Sequence, residues 1–163
     1  MKLLNKSKNV ELIITEKLLT QLGSYGVKSY PNEFGGFLIG YYSDDFKKLY
    51  ISDSILPKKY KGIPCFFERS TDGIREFFEN LFVKQNIYYV GEWHTHPNAS
   101  TMYSQADLQT MMYIANCETV MIKNPVLLII SVNNNRILDS TFYIYDDERL
   151  SIYVDKDLAK QSD

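Results

Sequence analysis

Both histidines of this chain lie in one short segment, residues 91–97, with the sequence GEWHTHP. The residues before it, 87–90 (IYYV), are β-branched and aromatic and predict a strand that runs into the histidines. Side chains at positions i and i+2 of a strand point to the same face, so we expect His94 and His96 to project side by side while Thr95 faces away. Two imidazoles on one strand face are able to share a metal ion.

A second polar pair follows eight positions after His96, where Ser104 precedes Asp107 by three residues. The next residues, 108–114 (LQTMMYI), have helical apolar spacing and predict a helix that begins here. Both polar side chains then lie in its first turn, from which Asp107 is able to face the histidines. Two His and one Asp form a three-ligand set for Zn²⁺ that leaves a fourth position for water, as a catalytic zinc site requires.

Each half of this pattern also has a purely structural interpretation. A histidine in a strand is usually a structural residue, and Ser-x-x-Asp before an apolar run is usually a capping box. The combination favours a metal site, because a helix cap does not require two histidines aimed at it. This chain also places its only two histidines two positions apart.

Glu92 lies on the same predicted strand face as the histidines and is a candidate ligand or base. The span from residue 92 to residue 96 is about 13 Å at strand rise, which is too long for three side chains to meet one ion. We therefore expect Glu92 to line the substrate groove or to support a ligand. Trp93 points to the opposite face and is expected in the core. Glu33, just before an apolar stretch at 34–40 (FGGFLIG), occupies a place where a lone glutamate is usually solvated.

The length and charge of the chain indicate how many domains it has and which kinds of partner it binds. A length of 163 residues suits one domain over 1–163, burying roughly 70% of the unfolded surface. A net charge of −2, without a long Lys/Arg cluster, gives no basis for nucleic-acid binding. Neither a signal peptide nor an apolar run of membrane-spanning length is recognisable, so we expect a cytoplasmic protein that binds no membrane. Cys65 and Cys117 are predicted to be free, buried thiols without a chemical role.

The remaining pattern predicts a mixed α/β sheet of about six strands with three helices packed against it. Thr15 is expected to cap a helix that ends at Gly23. A second helix is predicted from 73 to 84, with an apolar stripe in the core formed by Ile74, Phe77, Phe78, Leu81 and Phe82. Two hairpins are predicted, 34–40 with 48–55 and 125–132 with 137–145, together with a strand at 10–14 and one at 66–69. The basic loop 57–64 is either a surface connection or a flap beside the groove.

Taken in order, Glu33, residues 94–97 (HTHP) and Ser104-x-x-Asp107 resemble the motif of the JAB/MPN metalloproteases. That motif has a glutamate upstream of His-x-His-Pro and a Ser-x-x-Asp that begins seven positions after the proline, and every position is filled here. The resemblance implies the α/β fold of that family, a cytidine-deaminase-like mixed sheet with flanking helices. It implies Glu33 as the general base and acid, Ser104 as a hydrogen-bond donor to the tetrahedral oxyanion, and three zinc ligands: His94, His96 and Asp107.

At a finer level, the compact length, the segment 67–70 (FERS) and GEWHTHP are similar to bacterial JAB isopeptidases of CBASS anti-phage operons. This similarity implies a substrate conjugated through its C-terminal tail, either a cGAS-like nucleotidyltransferase or a ubiquitin-like modifier. It also implies E1-like and E2-like proteins encoded in the same operon as partners. Other relatives process ubiquitin-like or sulfur-carrier proteins.

The sequence favours a zinc isopeptidase over two other function classes. A non-catalytic MPN interaction module typically lacks one or more ligands, and none is missing here. A zinc deaminase requires His-x-Glu and Pro-Cys-x-x-Cys, and neither occurs in the sequence.

Overall fold

A mixed sheet of nine strands forms the centre of the protein in this computed structural model, which describes residues 1–64, 66–69, 80, 82–83 and 86–159. Three helices have both ends within the described residues: α1 (Glu16–Ser29), α2 (Gln105–Asn116) and α3 (Lys156–Ala159). The strands are β1 (Lys2–Asn5), β2 (Val10–Ile13), β3 (Gly35–Tyr42), β4 (Lys48–Ile55), β5 (Tyr60–Ile63), β6 (Phe66–Arg69), β7 (Tyr88–Pro97), β8 (Val126–Val132), β9 (Ile137–Asp146), β10 (Arg149–Ile152) and β11 (Val154–Asp155). The predicted α/β class is confirmed, but the described strands outnumber the expected ones.

The strand with the histidines, β7, lies in the middle of the sheet. The order is β10-β9-β8-β7-β3-β4-β2-β1-β11, so β7 pairs with β3 on one side and with β8 on the other. The first pairing is antiparallel and the second is parallel. All residues of β8 are buried, which explains its continuous apolar run. Both predicted hairpins, β3 with β4 and β8 with β9, are confirmed.

Helix α1 is longer than its glycine suggested. Thr15 caps it as predicted, because its Oγ1 accepts a hydrogen bond from the amide of Leu18 at 3.1 Å. The predicted end at Gly23 is wrong, since the helix continues to Ser29. A Cβ at Gly23 would lie 2.2 Å from Cδ1 of Ile137, and a Cβ at Gly26 would lie 2.4 Å from Cγ2 of Thr95. These glycines let the helix approach the sheet closely; they do not end it.

Within the described ranges, no helix combines the length and the apolar character that crossing a membrane requires.

The predictions for the strand at 66–69, the helix at 73–84 and the two cysteines are confirmed only in part. The predicted strand at 66–69 is confirmed as β6. Most of the predicted helix 73–84, including Ile74, Phe77, Phe78 and Leu81, lies outside the described residues, as does Cys65. Phe82 was expected in the core, but it is 55% exposed. Cys117 is a free thiol as predicted, although it is only half-buried at the end of α2.

Candidate active site

Side chains along β7 alternate between its two faces, which places the two histidines on the same face. Nε2 of His94 and Nε2 of His96 lie 3.0 Å apart, and both side chains are half-buried. On the opposite face, Trp93 is 1% exposed and Thr95 is fully buried, as the sequence predicted. The core therefore anchors one face of β7 while the other face presents both imidazoles to the same point.

Asp107 reaches that point from the first turn of α2. Its Oδ2 accepts hydrogen bonds from the amide of Ser104 at 2.6 Å and from the Ser104 hydroxyl at 2.7 Å. The Ser104 oxygen accepts in turn from the amide of Asp107 at 3.2 Å, which completes a capping box. The other carboxylate oxygen, Oδ1, lies 3.4 Å from Nε2 of His94. The cap and a metal ligand therefore do not exclude each other, because each uses a different oxygen of one carboxylate.

The three converging side chains fit a divalent metal ion. The ligand atoms of His94, His96 and Asp107 all lie within 4.8 Å of one another. Two ligands of a tetrahedral zinc ion, each 2.0–2.1 Å from it, are about 3.3 Å apart. The Nε2–Nε2 distance of 3.0 Å and the Nε2–Oδ1 distance of 3.4 Å bracket that value. Imidazole nitrogen and carboxylate oxygen are also donors that zinc accepts.

A hydrogen bond on the Nδ1 side of the ring orients the imidazole of His96. Its Nδ1 lies 2.7 Å from the carbonyl oxygen of Ser100. A carbonyl oxygen only accepts hydrogen bonds, so Nδ1 carries the hydrogen and the lone pair is on Nε2, toward the candidate metal position. The sequence reasoning missed Ser100, and no side-chain pattern marks it because its contribution is a backbone carbonyl.

Glu33 is held next to this cluster by two contacts of its neighbour Phe34. The amide of Phe34 donates to Oγ1 of Thr95 at 3.1 Å, and the amide of Thr95 donates to the carbonyl of Phe34 at 2.8 Å. Glu33 is 9% exposed, so it is not the solvated glutamate that its loop position suggested. Burial, and then the negative charge of Asp107, raise the pKa of Glu33 from 4.5 to about 7.

The glycine pair that follows Glu33 allows this approach. Gly35 pairs with His94 and Gly36 pairs with Trp93 in the β3–β7 ladder. A Cβ at Gly35 would lie 2.2 Å from the carbonyl oxygen of Trp93. Only a residue without a side chain allows β3 to begin directly beside the histidines.

The segment 57–64 is more regular than expected. Tyr60–Ile63 forms β5 and pairs with β6 as a separate two-stranded sheet. The amide of Glu33 donates to the carbonyl of Ile63 at 3.0 Å, and Pro64 lines the cleft beside it. Of the two interpretations of this segment, a flap beside the groove agrees with these contacts.

A cleft of about 330 Å³ brings the predicted site residues together. Its wall includes all five of them, Glu33, His94, His96, Ser104 and Asp107. Glu92 also lines the cleft and is 7% exposed, consistent with the expected place in the groove. Three acidic side chains, Glu33, Glu92 and Asp107, line this cleft, and their oxygen atoms favour a cation within it.

Comparison with known proteins identifies the family of this chain. The family described as prokaryotic homologues of the JAB domain matches residues 15–143. A relative from Enterobacter hormaechei subsp. hoffmannii (strain UCI 50), named "CD-NTase/cGAS isopeptidase", is 32% identical over 120 residues. The matched region covers 73% of this chain and 66% of the relative, so the chain spans just under two thirds of that protein.

Two solved structures share the fold. A solution structure of a protein from Desulfitobacterium hafniense has a TM-score of 0.59 at 15% identity and covers 86% of this chain and 88% of its own. A second, from Salinibacter ruber, has a TM-score of 0.54 at 20% identity and covers 87% of each chain. At these identities the likeness concerns the fold alone. The family match over residues 15–143, most of the chain, shows that this chain belongs to the prokaryotic JAB domain family.

Proposed function

We propose that this protein is a zinc-dependent isopeptidase or peptidase. The observation that carries the proposal is the convergence of His94, His96 and Asp107 in a cleft that also contains the buried carboxyl group of Glu33. Three ligands with an open side, next to a carboxyl group outside the ligand set, are the components that metal-assisted hydrolysis requires.

His94, His96 and Asp107 are the proposed metal ligands. When bound there, zinc supplies Lewis-acid polarisation of the scissile carbonyl and a lowered pKa for water. Glu33 takes a proton from the attacking water and passes it to the leaving amine. In the metal-free protein, burial raises the pKa of Glu33 to about 7, so this carboxyl group is able to hold a proton near neutral pH.

Ser104 is proposed to stabilise the developing oxyanion through its hydroxyl. In the structure this hydroxyl donates to Oδ2 of Asp107 at 2.7 Å. Assisting the oxyanion requires the hydrogen to rotate toward substrate, while the Ser104 amide, 2.6 Å from the same Oδ2, still holds the carboxylate. The cap is thus able to keep Asp107 in place while the hydroxyl changes partner.

The substrate we propose is a protein conjugated through its C-terminal tail, either a cGAS-like nucleotidyltransferase or a ubiquitin-like modifier. The printed name of the relative that is 32% identical, a CD-NTase/cGAS isopeptidase, supports the first. Reversal of conjugation in cytoplasmic anti-phage defence, with E1-like and E2-like partners, follows from the same proposal. One domain over 1–163 is proposed to perform it, which agrees with a sheet that includes both Lys2 and Asp155.

The direct test is cleavage of a purified conjugate in which a cGAS-like nucleotidyltransferase is joined by its C-terminus to a lysine of a target protein. We expect zinc-loaded wild-type protein to release both components, and chelator-treated protein to release them only after zinc is restored. Conjugate that stays intact with zinc-loaded protein, while a ubiquitin-like precursor is cleaved, would redirect the proposal to modifier processing. Binding of both substrates without cleavage would contradict an enzymatic role.

A further inference from the structure

Three consecutive backbone carbonyls after β7 each accept a hydrogen bond from a side chain. The carbonyl of Ala99 accepts from the Ser131 hydroxyl at 2.6 Å. The carbonyl of Ser100 accepts from Nδ1 of His96 at 2.7 Å, and that of Thr101 accepts from the Tyr143 hydroxyl at 3.0 Å. The carbonyl that orients His96 therefore lies between two carbonyls held by the neighbouring strands.

The two residues that donate to the outer carbonyls, Ser131 and Tyr143, are buried. Ser131 is 3% exposed on β8, and Tyr143 is 7% exposed on β9. Strand β8 pairs with β7, and β9 pairs with β8. The Tyr143 ring also packs edge-on against Tyr103, with centroids 5.2 Å apart. These two hydroxyls hold the segment 99–101, together with the 2.6 Å contact between the hydroxyls of Thr101 and Thr141, since a displaced carbonyl would leave a buried donor without its partner.

We propose that Ser131 and Tyr143 are positioning residues for His96. By holding the carbonyls on each side of Ser100, they aim the Ser100 carbonyl at Nδ1 of His96. That contact keeps the imidazole in the tautomer with hydrogen on Nδ1 and with the Nε2 lone pair directed toward Nε2 of His94, 3.0 Å away. The inference rests on the proposed function only in taking His96 as a metal ligand; the tautomer itself is a property of the metal-free protein.

Ser131→Ala and Tyr143→Phe test this role, because each removes one hydroxyl and Tyr143→Phe keeps the ring contact with Tyr103. Matched controls are Ser140→Ala and Tyr145→Phe, which remove the same groups from β9 at positions that do not contact the segment 99–101 in the described contacts. Ser131→Thr restores a hydroxyl and serves as the rescue variant. Tyr143→Phe keeps the test open if Ser131→Ala fails to fold.

Two readouts separate positioning from general destabilisation. The zinc dissociation constant, measured by competition with a chromogenic chelator, is expected to rise about tenfold in each test variant and to stay unchanged in the controls and in Ser131→Thr. Nitrogen-15 NMR of the zinc-free proteins, with the imidazoles neutral, is expected to show a protonated Nδ1 for His96 in the wild type. A mixture of tautomers is expected in Ser131→Ala and Tyr143→Phe.

The outcomes distinguish this inference from the proposed function. Wild-type zinc affinity and an unchanged His96 tautomer in both test variants would overturn the positioning role and leave the metal site intact. Absence of zinc binding by the wild type would contradict the proposed function, while the zinc-free NMR comparison would still decide whether Ser131 and Tyr143 orient His96.

Discussion

The carboxyl group of Glu33 shows how one residue acquires chemistry from its surroundings. In the sequence it is a lone glutamate before an apolar stretch. In the structure it is 9% exposed and faces the charge of Asp107, which together raise its pKa to about 7. The same carboxylate that would serve as a base therefore costs stability when it ionises in the metal-free protein.

The pH dependence of stability tests this environment. The folded-state pKa of Glu33, about 7, lies above its ordinary value of 4.5, so the folded state holds this proton more tightly than the unfolded state. The associated stability is fully present below pH 4.5 and is lost as the pH rises through about 7. Glu33→Gln removes the ionisation. We expect that variant to match the metal-free wild type in acid and to exceed it above pH 7 by on the order of 2–3 kcal/mol. Urea unfolding with chelator present measures this, and parallel pH profiles would contradict it.

Activity distinguishes the two glutamates of the cleft. Glu33→Ala is expected to lower cleavage by at least about a hundredfold while still binding zinc, because a proton-transferring base lies outside the ligand set. Glu92→Gln is the matched control and is expected to retain most of the turnover. Full activity of Glu33→Ala, combined with an inactive Glu92→Gln, would assign the base to Glu92.

For the individual site residues, the sequence predicts which side chains lie together, but it does not predict every group that contacts them. The spacing of His94 and His96 determines a shared strand face, and Ser104-x-x-Asp107 determines a shared helical turn. The approach of Glu33 depends on a β3–β7 pairing across about sixty residues, which local spacing does not encode. The Ser100 carbonyl carries no side-chain signal at all.

Helix α1 packs closely against the sheet because it has glycine at the contact positions. Gly26 contacts the buried face of Thr95, and Thr95 in turn holds Phe34 next to Glu33. The glycine rule for helix ends fails here because tertiary contact, rather than backbone conformation, requires the missing side chain. A sequence alone does not separate these two uses of glycine.

The sign of the stability change in Gly26→Ala distinguishes helix propensity from packing. At a solvated position in a helix, this change would stabilise by about 1 kcal/mol through helix propensity. At Gly26 the new Cβ would lie 2.4 Å from Cγ2 of the β-branched, fully buried Thr95. We therefore expect a loss of about 1–3 kcal/mol in the free energy of unfolding. Ser24→Ala, in the same helix, serves as the control for propensity, and a gain in stability for Gly26→Ala would refute the packing argument.

Over the whole molecule, the sheet curls until its two ends approach each other. Strands β10 and β11 stand at opposite ends of the strand order, yet only Tyr153 separates them in the chain. Asn5, which is fully buried at the end of β1, joins the two edges. Its Nδ2 donates to Oγ of Ser151 and to the carbonyl of Ile152, both at 2.9 Å.

Replacement of Asn5 by Leu is expected to weaken this closure. The side-chain oxygen of Asn5 also accepts from the Ser7 hydroxyl at 2.8 Å and from the amide of Lys8 at 2.9 Å. Loss of these bonds in a buried position should cost about 1–3 kcal/mol in the free energy of unfolding, with zinc stoichiometry unchanged. Ser7→Ala, which removes one exposed partner, is the control. An Asn5→Leu protein no less stable than Ser7→Ala would show that the edges close without Asn5.

The centre of the sheet could be predicted from the sequence, but its edges could not. A continuous apolar run such as Val126–Val132 is typical of a strand covered on both faces. The strands at or next to the ends of the sheet, β1, β10 and β11, are two to four residues long and carry polar or charged residues, so their pairing depends on the rest of the fold. Sequence spacing therefore predicted the strands that carry the candidate site better than these short outer strands.

Native mass spectrometry of the wild type beside His96→Ala measures whether the proposed ligands bind zinc. After zinc is supplied and excess removed, we predict one zinc ion per wild-type chain and none in the variant, because His96 is one of three proposed ligands. Urea unfolding of both proteins confirms that the variant is folded. No zinc in the wild type, or one zinc held by His96→Ala with unchanged affinity, would contradict the account.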